Sequence, residues 1–122
     1  MFQEFLRRHD LDALLPRAEA RRPFPPESER ARWDALPPDT KARLLRYGDE
    51  AKAGYPMLTA TQFLAFVRTG DREVYEQPYF ERRRRLIHAA LAECVAGDGS
   101  YLDAVIDGLW CVYEETTWAV SA

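Results

Sequence analysis

The residues best suited to chemistry crowd the last quarter of the chain, where Trp110-Cys-Val-Tyr-Glu-Glu-Thr-Thr-Trp118 sets two adjacent carboxylates between two indoles. At ~100° per residue, Asp103, Asp107, Trp110, Glu114 and Trp118 fall along one face of a helix. Indole faces stack on the C–H faces of sugars, and carboxylates accept hydrogen bonds from hydroxyls, so this stripe suits a carbohydrate ligand. The plainer alternative is that both tryptophans pack on a neighbouring helix and the carboxylates pair with arginines. Arg82 to Arg85 supply such arginines. Arg83 falls on a stripe with Tyr79, Leu86 and Ala90, which predicts an internal ion pair with Asp103, Asp107 or Glu114, or contact with a substrate carboxylate. Arg82, Arg84 and Arg85 spread around the helix as a solvated surface would. Arg72, Tyr75 and Tyr79 make a second surface that would suit an acidic sugar, although tyrosines at helical spacing more often pack in a core with a wet hydroxyl.

Catalysis within these 122 residues is harder to assemble. His9 and His88 are the only histidines, and neither belongs to an HExxH or another ligand spacing. There is no glycine-rich phosphate loop and no GxSxG elbow. Glu114 and Glu115 resemble a glycosidase pair only in composition, because adjacent helical residues point ~100° apart and do not flank one bond. The expectation is no catalytic residue, no metal and no cofactor. Cys94 and Cys111 lie in apolar helical patterns without CxxC spacing and are expected as buried thiols.

Composition bounds the function classes. At 47% hydrophobic and 30% charged residues, the chain is expected to form a single helical domain over 1–122. A net charge of -3 argues against a dedicated nucleic-acid binder. No apolar run approaches the ~20 residues of a membrane span, and the first residues lack the basic-then-apolar order of a secretory signal, so a cytoplasmic location is the default expectation. The basic run at 82–85 and the stretch from Gly97 to Ala122, which holds acids but no Lys or Arg, suggest two helices of opposite sign packed side by side.

The elements that must position these residues read as helix after helix, an all-α pattern with nothing that alternates like a strand. Phe2 to Leu15 forms a first helix stopped by Pro16, and a proline-rich connector follows over 16–28. Ser28 can cap a short helix holding Trp33 and Leu36, and Pro37 and Pro38 open another, which Gly48 weakens. Gly54, Tyr55 and Pro56 mark a loop. Thr59 or Thr61 caps a helix that Gly70 ends, and Asp71 starts the next. Pro78 predicts a kink or a new first turn. Beyond it, Tyr79, Leu86, Ala90 and Cys94 share a stripe widened by Ile87 and Leu91. Gly97 and Gly99 end that helix. In the last helix Leu102, Ile106, Leu109, Tyr113 and Val120 form the expected core stripe. Glu114 and Glu115 sit unfavourably near the negative end of its dipole, as if the helix continued or drew support from elsewhere.

The ordered series Y-G-D-E, G-Y-P-M-L-T-A-T-Q-F-L-A-F-V-R-T-G-D-R-E-V-Y-E, F-E-R-R-R-R-L, L-A-E-C-V and Y-L-D-A-V-I-D-G-L-W-C-V-Y-E-E-T-T-W resembles the N-terminal helical region of heparinase II/III-like proteins, over roughly Trp33 to Trp118. The resemblance implies antiparallel helical hairpins forming part of an (α/α) toroid over 29–122. It also implies the activity of a polysaccharide lyase that acts by β-elimination on uronic-acid-containing polysaccharide. In the family the tryptophan-bearing segment runs on into Pro-Ala-His-Asn, whereas here Trp118 is followed by Ala-Val-Ser-Ala. No family catalytic residue is carried onto this chain. The expectation is therefore a helical fragment, inactive alone, whose partners are an acidic polysaccharide or oligosaccharide and a missing C-terminal portion or another protein chain. Its candidate substrate-binding residues are Glu114, Glu115, Trp118, Trp110, Arg83, Arg72 and Tyr75. The alternative is a non-enzymatic helical protein-interaction module.

Overall fold

Prolines, a threonine and two left-handed glycines punctuate the chain into six helices across residues 22–121, the part that the computed structural model describes. The expected helix at 1–15, His9 and the start of the connector lie outside the described residues. The helices are α1 (Arg30–Asp34), α2 (Pro38–Ala51), α3 (Ala60–Phe63), α4 (Ala65–Thr69), α5 (Glu73–Ala96) and α6 (Leu102–Tyr113). Among the described residues there is no strand, and no helix is long and apolar enough to cross a membrane.

Local chemistry explains most boundaries. Pro38 stands in the first turn of α2, where its missing N–H costs nothing. Thr59 closes a capping box at α3: its hydroxyl accepts from Gln62 N at 3.3 Å, and its own N–H donates to Gln62 Oε1 at 2.8 Å. Gly70 and Gly97 end α4 and α5 in the left-handed region, at φ 78° and 66°, where a side chain would be strained. Two expectations need correction here. α1 begins after Glu29 rather than on a Ser28 cap, and it stops before Leu36. α5 runs unbroken from Glu73 through Pro78, which does not start a new helix. α2 continues through Gly48 to Ala51, and Gly48 is buried where a Cβ would overlap that of Ala92 and approach the Tyr101 ring to 2.7 Å.

α5 is the central helix. Along it, Tyr47 stacks on His88, Gly48 faces Ala92, and Arg82 reaches Pro56 O beyond the end of α2, so α2 runs antiparallel to α5. On its other side, Glu93 holds Tyr101, Leu86 lies beside Gly108 and Arg82 reaches Cys111, so α6 is antiparallel as well. The basic and acidic segments do pack side by side. The interior is built from Ala51, Ala89, Ala92 and Ala104 with Trp33, Tyr75, Tyr79 and Tyr101 around them. Small residues let the backbones approach closely, and the rings fill the remaining wedges.

The loop between α5 and α6 is held by a buried carboxylate. Glu93 accepts from the backbone N–H of Gly99 at 2.8 Å, in the loop, and of Tyr101 at 2.9 Å, at the N-cap of α6, satisfying two donors that would otherwise stay open. Tyr101 Oη donates to Asp49 at 3.0 Å and Lys52 Nζ lies 3.9 Å from its ring centroid, tying this corner to α2. Burial raises the Tyr101 phenol above its ordinary pKa, with the hydrogen bond to Asp49 acting in the same direction.

The last helix corrects the sequence reading most. It ends at Tyr113, so Glu114, Glu115 and Trp118 are not on it, and the face it buries is neither the expected core stripe nor the acid-and-indole stripe. Ala104 and Gly108 are buried, whereas Leu102, Ile106, Leu109 and Tyr113 are exposed. The reason is the partner surface: Tyr55 lies across α6, its hydroxyl donating to Ala104 O at 2.6 Å, and only a residue without a Cβ fits under its ring at 108. On α5, Ile87 is likewise exposed rather than part of the core stripe.

Candidate binding cleft

α5 places Tyr75, Tyr79, Arg82, Leu86, Ala89 and Glu93 at alternating spacings of four and three, and most of this stripe is buried. Arg82 is therefore not the solvated surface residue expected. Its Nε donates to Pro56 O at 2.7 Å and its Nη1 to Cys111 O at 2.8 Å. The second bond satisfies one of the open carbonyls in the last turn of α6, which contains no basic residue of its own. Past Tyr113 the chain turns and brings Glu115 back under α5. Arg83 grips its carboxylate with both terminal nitrogens, at 2.8 and 3.2 Å, and Arg82 Nη1 lies 3.6 Å away. The Glu115 side chain is 1% exposed.

The internal ion pair expected of Arg83 exists, with a different partner from the three considered. Glu115 takes the place of Asp103, Asp107 or Glu114 because the helix stops short of it. The Arg83 guanidinium also lies 3.5 Å from the Tyr79 ring centroid, a cation–π contact. Two guanidiniums sharing one carboxylate leave the cluster with one net positive charge.

Beside this cluster opens a cavity of about 500 Å³. α3 and the loop before it supply Thr59, Phe63 and Leu58, α5 supplies Tyr75 and Arg82, and the turn after α6 supplies Glu114 to Thr117. Tyr75 meets Phe63 edge to face, with centroids 5.1 Å apart, and stacks on Tyr79 at 5.7 Å. Burial first, and then the nearby Glu115 carboxylate, raise the Tyr75 phenol above its ordinary pKa. It is a neutral hydrogen-bond donor at physiological pH and a poor candidate for a base. The wall thus combines an apolar aromatic patch, three threonine hydroxyls, a phenol, an exposed carboxylate at Glu114 and a cationic cluster. Such a surface can bind a hydroxyl-rich ligand carrying negative charge. Among the described residues, no group of His, Cys, Asp and Glu is arranged to hold a metal ion.

Of the seven candidates named from sequence, the structure brings Tyr75, Glu114 and Glu115 to the cavity wall and places Arg83 behind it on Glu115. Trp118 is held beside it without lining it: its Nε1 donates to Val112 O at 3.1 Å and its carbonyl accepts from Tyr79 Oη at 2.6 Å. Its ring remains exposed. Trp110 stands on the outer face of α6 and Arg72 at the start of α5, where it lies 4.0 Å from Glu76; neither lines the cavity. Arg82, Thr59, Phe63, Thr116 and Thr117 are among the lining residues that sequence reasoning missed. Arg82 was detectable, since the stripe that begins at Tyr75 keeps a stricter spacing than the one drawn through Arg83. Cys94 and Cys111 are free and half-buried, and burial raises both thiols above their ordinary pKa. The chain matches no protein-family model and no curated protein.

Proposed function

We propose that this chain is the helical substrate-binding part of a heparinase II/III-like polysaccharide lyase, with its hairpins forming an arc of an (α/α) toroid, and that the cleft holds a short run of a uronate-containing oligosaccharide. The observation that carries the reading is the juxtaposition, in one cavity, of aromatic surface, hydroxyls and a cluster with an excess positive charge. Phe63 and Leu58 suit the C–H face of a pyranose. Thr59, Thr116, Thr117 and Glu114 suit its hydroxyls, while Arg82 and Arg83 favour a uronate carboxylate over a neutral sugar. Tyr75 donates rather than abstracts, so the chain's contribution is binding. The base that removes the C5 proton in β-elimination belongs to another part of a longer protein or to another chain.

Calorimetric titration with a heparin-derived tetrasaccharide, a tetramannuronate and neutral maltotetraose tests this. The expected result is a Kd of about 1 mM for an acidic tetrasaccharide, or about -4 kcal/mol, with maltotetraose at least tenfold weaker. Tyr75→Phe and Glu114→Gln should each weaken binding several-fold, and no unsaturated uronate product should accumulate. Equal binding of all three sugars, or acidic-sugar affinity indifferent to Tyr75→Phe, would overturn the reading.

A further inference from the structure

α6 is apolar on both sides. Ala104 and Gly108 face the interior, while Leu102, Ile106, Leu109, Trp110 and Tyr113 stand outward, with Ile106 58% and Trp110 71% exposed. At ~100° per residue these five fall within about one third of the helix circumference, a continuous stripe. Side chains of this size make an exposed patch on the order of a few hundred Å², more than scattered surface apolar residues provide. A helix apolar on two sides is normally covered on both. The patch lies apart from the cavity, whose lining includes none of the five.

The flank of the stripe identifies what covers it. Asp103 and Asp107 run along one edge, one turn apart, and no Lys or Arg occurs between Gly97 and Ala122. A second copy of α6 packed on this face would carry the same two acids into the seam. A helix with basic edges would bring opposite charges together instead. We infer that the outer face of α6 is a docking surface for an amphipathic helix whose apolar stripe is flanked by lysine or arginine. The apolar stripe supplies the contact area, as in helix-on-helix recognition, and the aspartates set the polarity of the partner and its register. This assignment does not depend on the sugar-binding reading, since it uses a different face.

The test uses two fluorescein-labelled 18-residue peptides with leucines at i, i+3, i+4 and i+7, one flanked by lysines and one by glutamates, with binding followed by anisotropy. The lysine peptide should bind at least about tenfold more tightly than the glutamate peptide. Asp103→Lys with Asp107→Lys should reverse that order. Ile106→Asp adds a negative charge yet should abolish binding of the lysine peptide, which separates docking from general attraction to an acidic protein. Circular dichroism of each variant verifies the helical fold, and all three changes are at exposed positions. The inference fails if the two peptides bind alike, or if the aspartate reversal has no effect. It fails too if Ile106→Asp binds as before, or if sedimentation velocity finds a dimer of this chain that Ile106→Asp dissociates.

Discussion

Replacing Arg82 by Met removes a buried cation without opening a large cavity, and the structure dictates how much stability is lost. The Arg82 side chain is 7% exposed, and it bonds two backbone carbonyls, Pro56 O and Cys111 O, from different parts of the fold. Each charge-assisted bond contributes about 1.5–3 kcal/mol when its loss strands a shielded acceptor. Glu115 keeps Arg83, so its carboxylate is not orphaned. Taking the lower figure for each carbonyl, Arg82→Met should cost about 3 kcal/mol. Arg83→Met loses the bidentate pair and the cation–π contact, but Arg83 is 28% exposed and water can replace part of both; about 1–2 kcal/mol is expected. Urea unfolding followed by circular dichroism reads the difference. With a slope of about 1.5 kcal/mol per molar, Arg82→Met should lower the midpoint by about 2 M and Arg83→Met by about 0.7–1.3 M, with unchanged slopes. Arg82→Lys should recover little, because one ammonium on a flexible stem does not span two carbonyls that a planar fork spans. If Arg83→Met proved as damaging as Arg82→Met, the assignment of Arg82 as the structural cation and Arg83 as its accessory would be wrong.

Two further predictions bear on packing and charge. Gly108→Ala should gain about 1 kcal/mol of helix propensity and still destabilise the protein by about 1–3 kcal/mol net, because its methyl meets the Tyr55 ring; thermal melting measures this, and a rise in Tm would refute the close packing. For Glu81, desolvation pushes the carboxyl upward, but the hydrogen bond from Arg85 and the charge of Arg84 outweigh it and leave the folded-state pKa lowered. Its contribution is complete above the unfolded carboxylate pKa of about 4.3 and fades as pH falls through the lower folded value. Stability measured from pH 6 down to 3 should therefore fall more steeply in the wild type than in Glu81→Gln, and parallel curves would sink the claim.

Features that depend on a few neighbouring residues were legible in the sequence. The cap at Thr59, the stops at Gly70 and Gly97, the opening of α2 at Pro37 and Pro38 and the loop at Gly54 to Pro56 all follow from turn and cap chemistry acting within four residues. What escaped depended on which surface each helix meets. α6 offers large apolar residues on one side and Ala and Gly on the other, and ordinary reading assigns the larger set to the core. Here the neighbouring Tyr55 and Leu86 supply the bulk, so α6 must supply the space. In the run of four arginines a helix turning ~100° at each residue must aim some inward, and the stripe drawn through Arg83 identifies one of them while leaving out the more deeply buried Arg82. Part of the candidate site was visible as residue types, in Tyr75, Glu114 and Glu115. Their meeting with Thr59 and Phe63 rests on a chain reversal after Tyr113 that no local motif announces.

The arginine that closes the end of α6 has a counterpart on α5. Arg30 donates to Cys94 O at 2.7 Å and to Val95 O at 3.0 Å, across more than sixty residues of chain, and α5 also lacks a basic residue in its last turn. Helix termini ordinarily fray on their own, opening amide by amide at little cost. In this protein the last turns of both long neighbouring helices are closed by side chains from elsewhere in the fold, so neither end can loosen without breaking tertiary structure. Amide protons there are consequently expected to exchange with solvent through the same rare opening that releases the centre of the bundle, and a peptide spanning α6 alone should lose its helical end first.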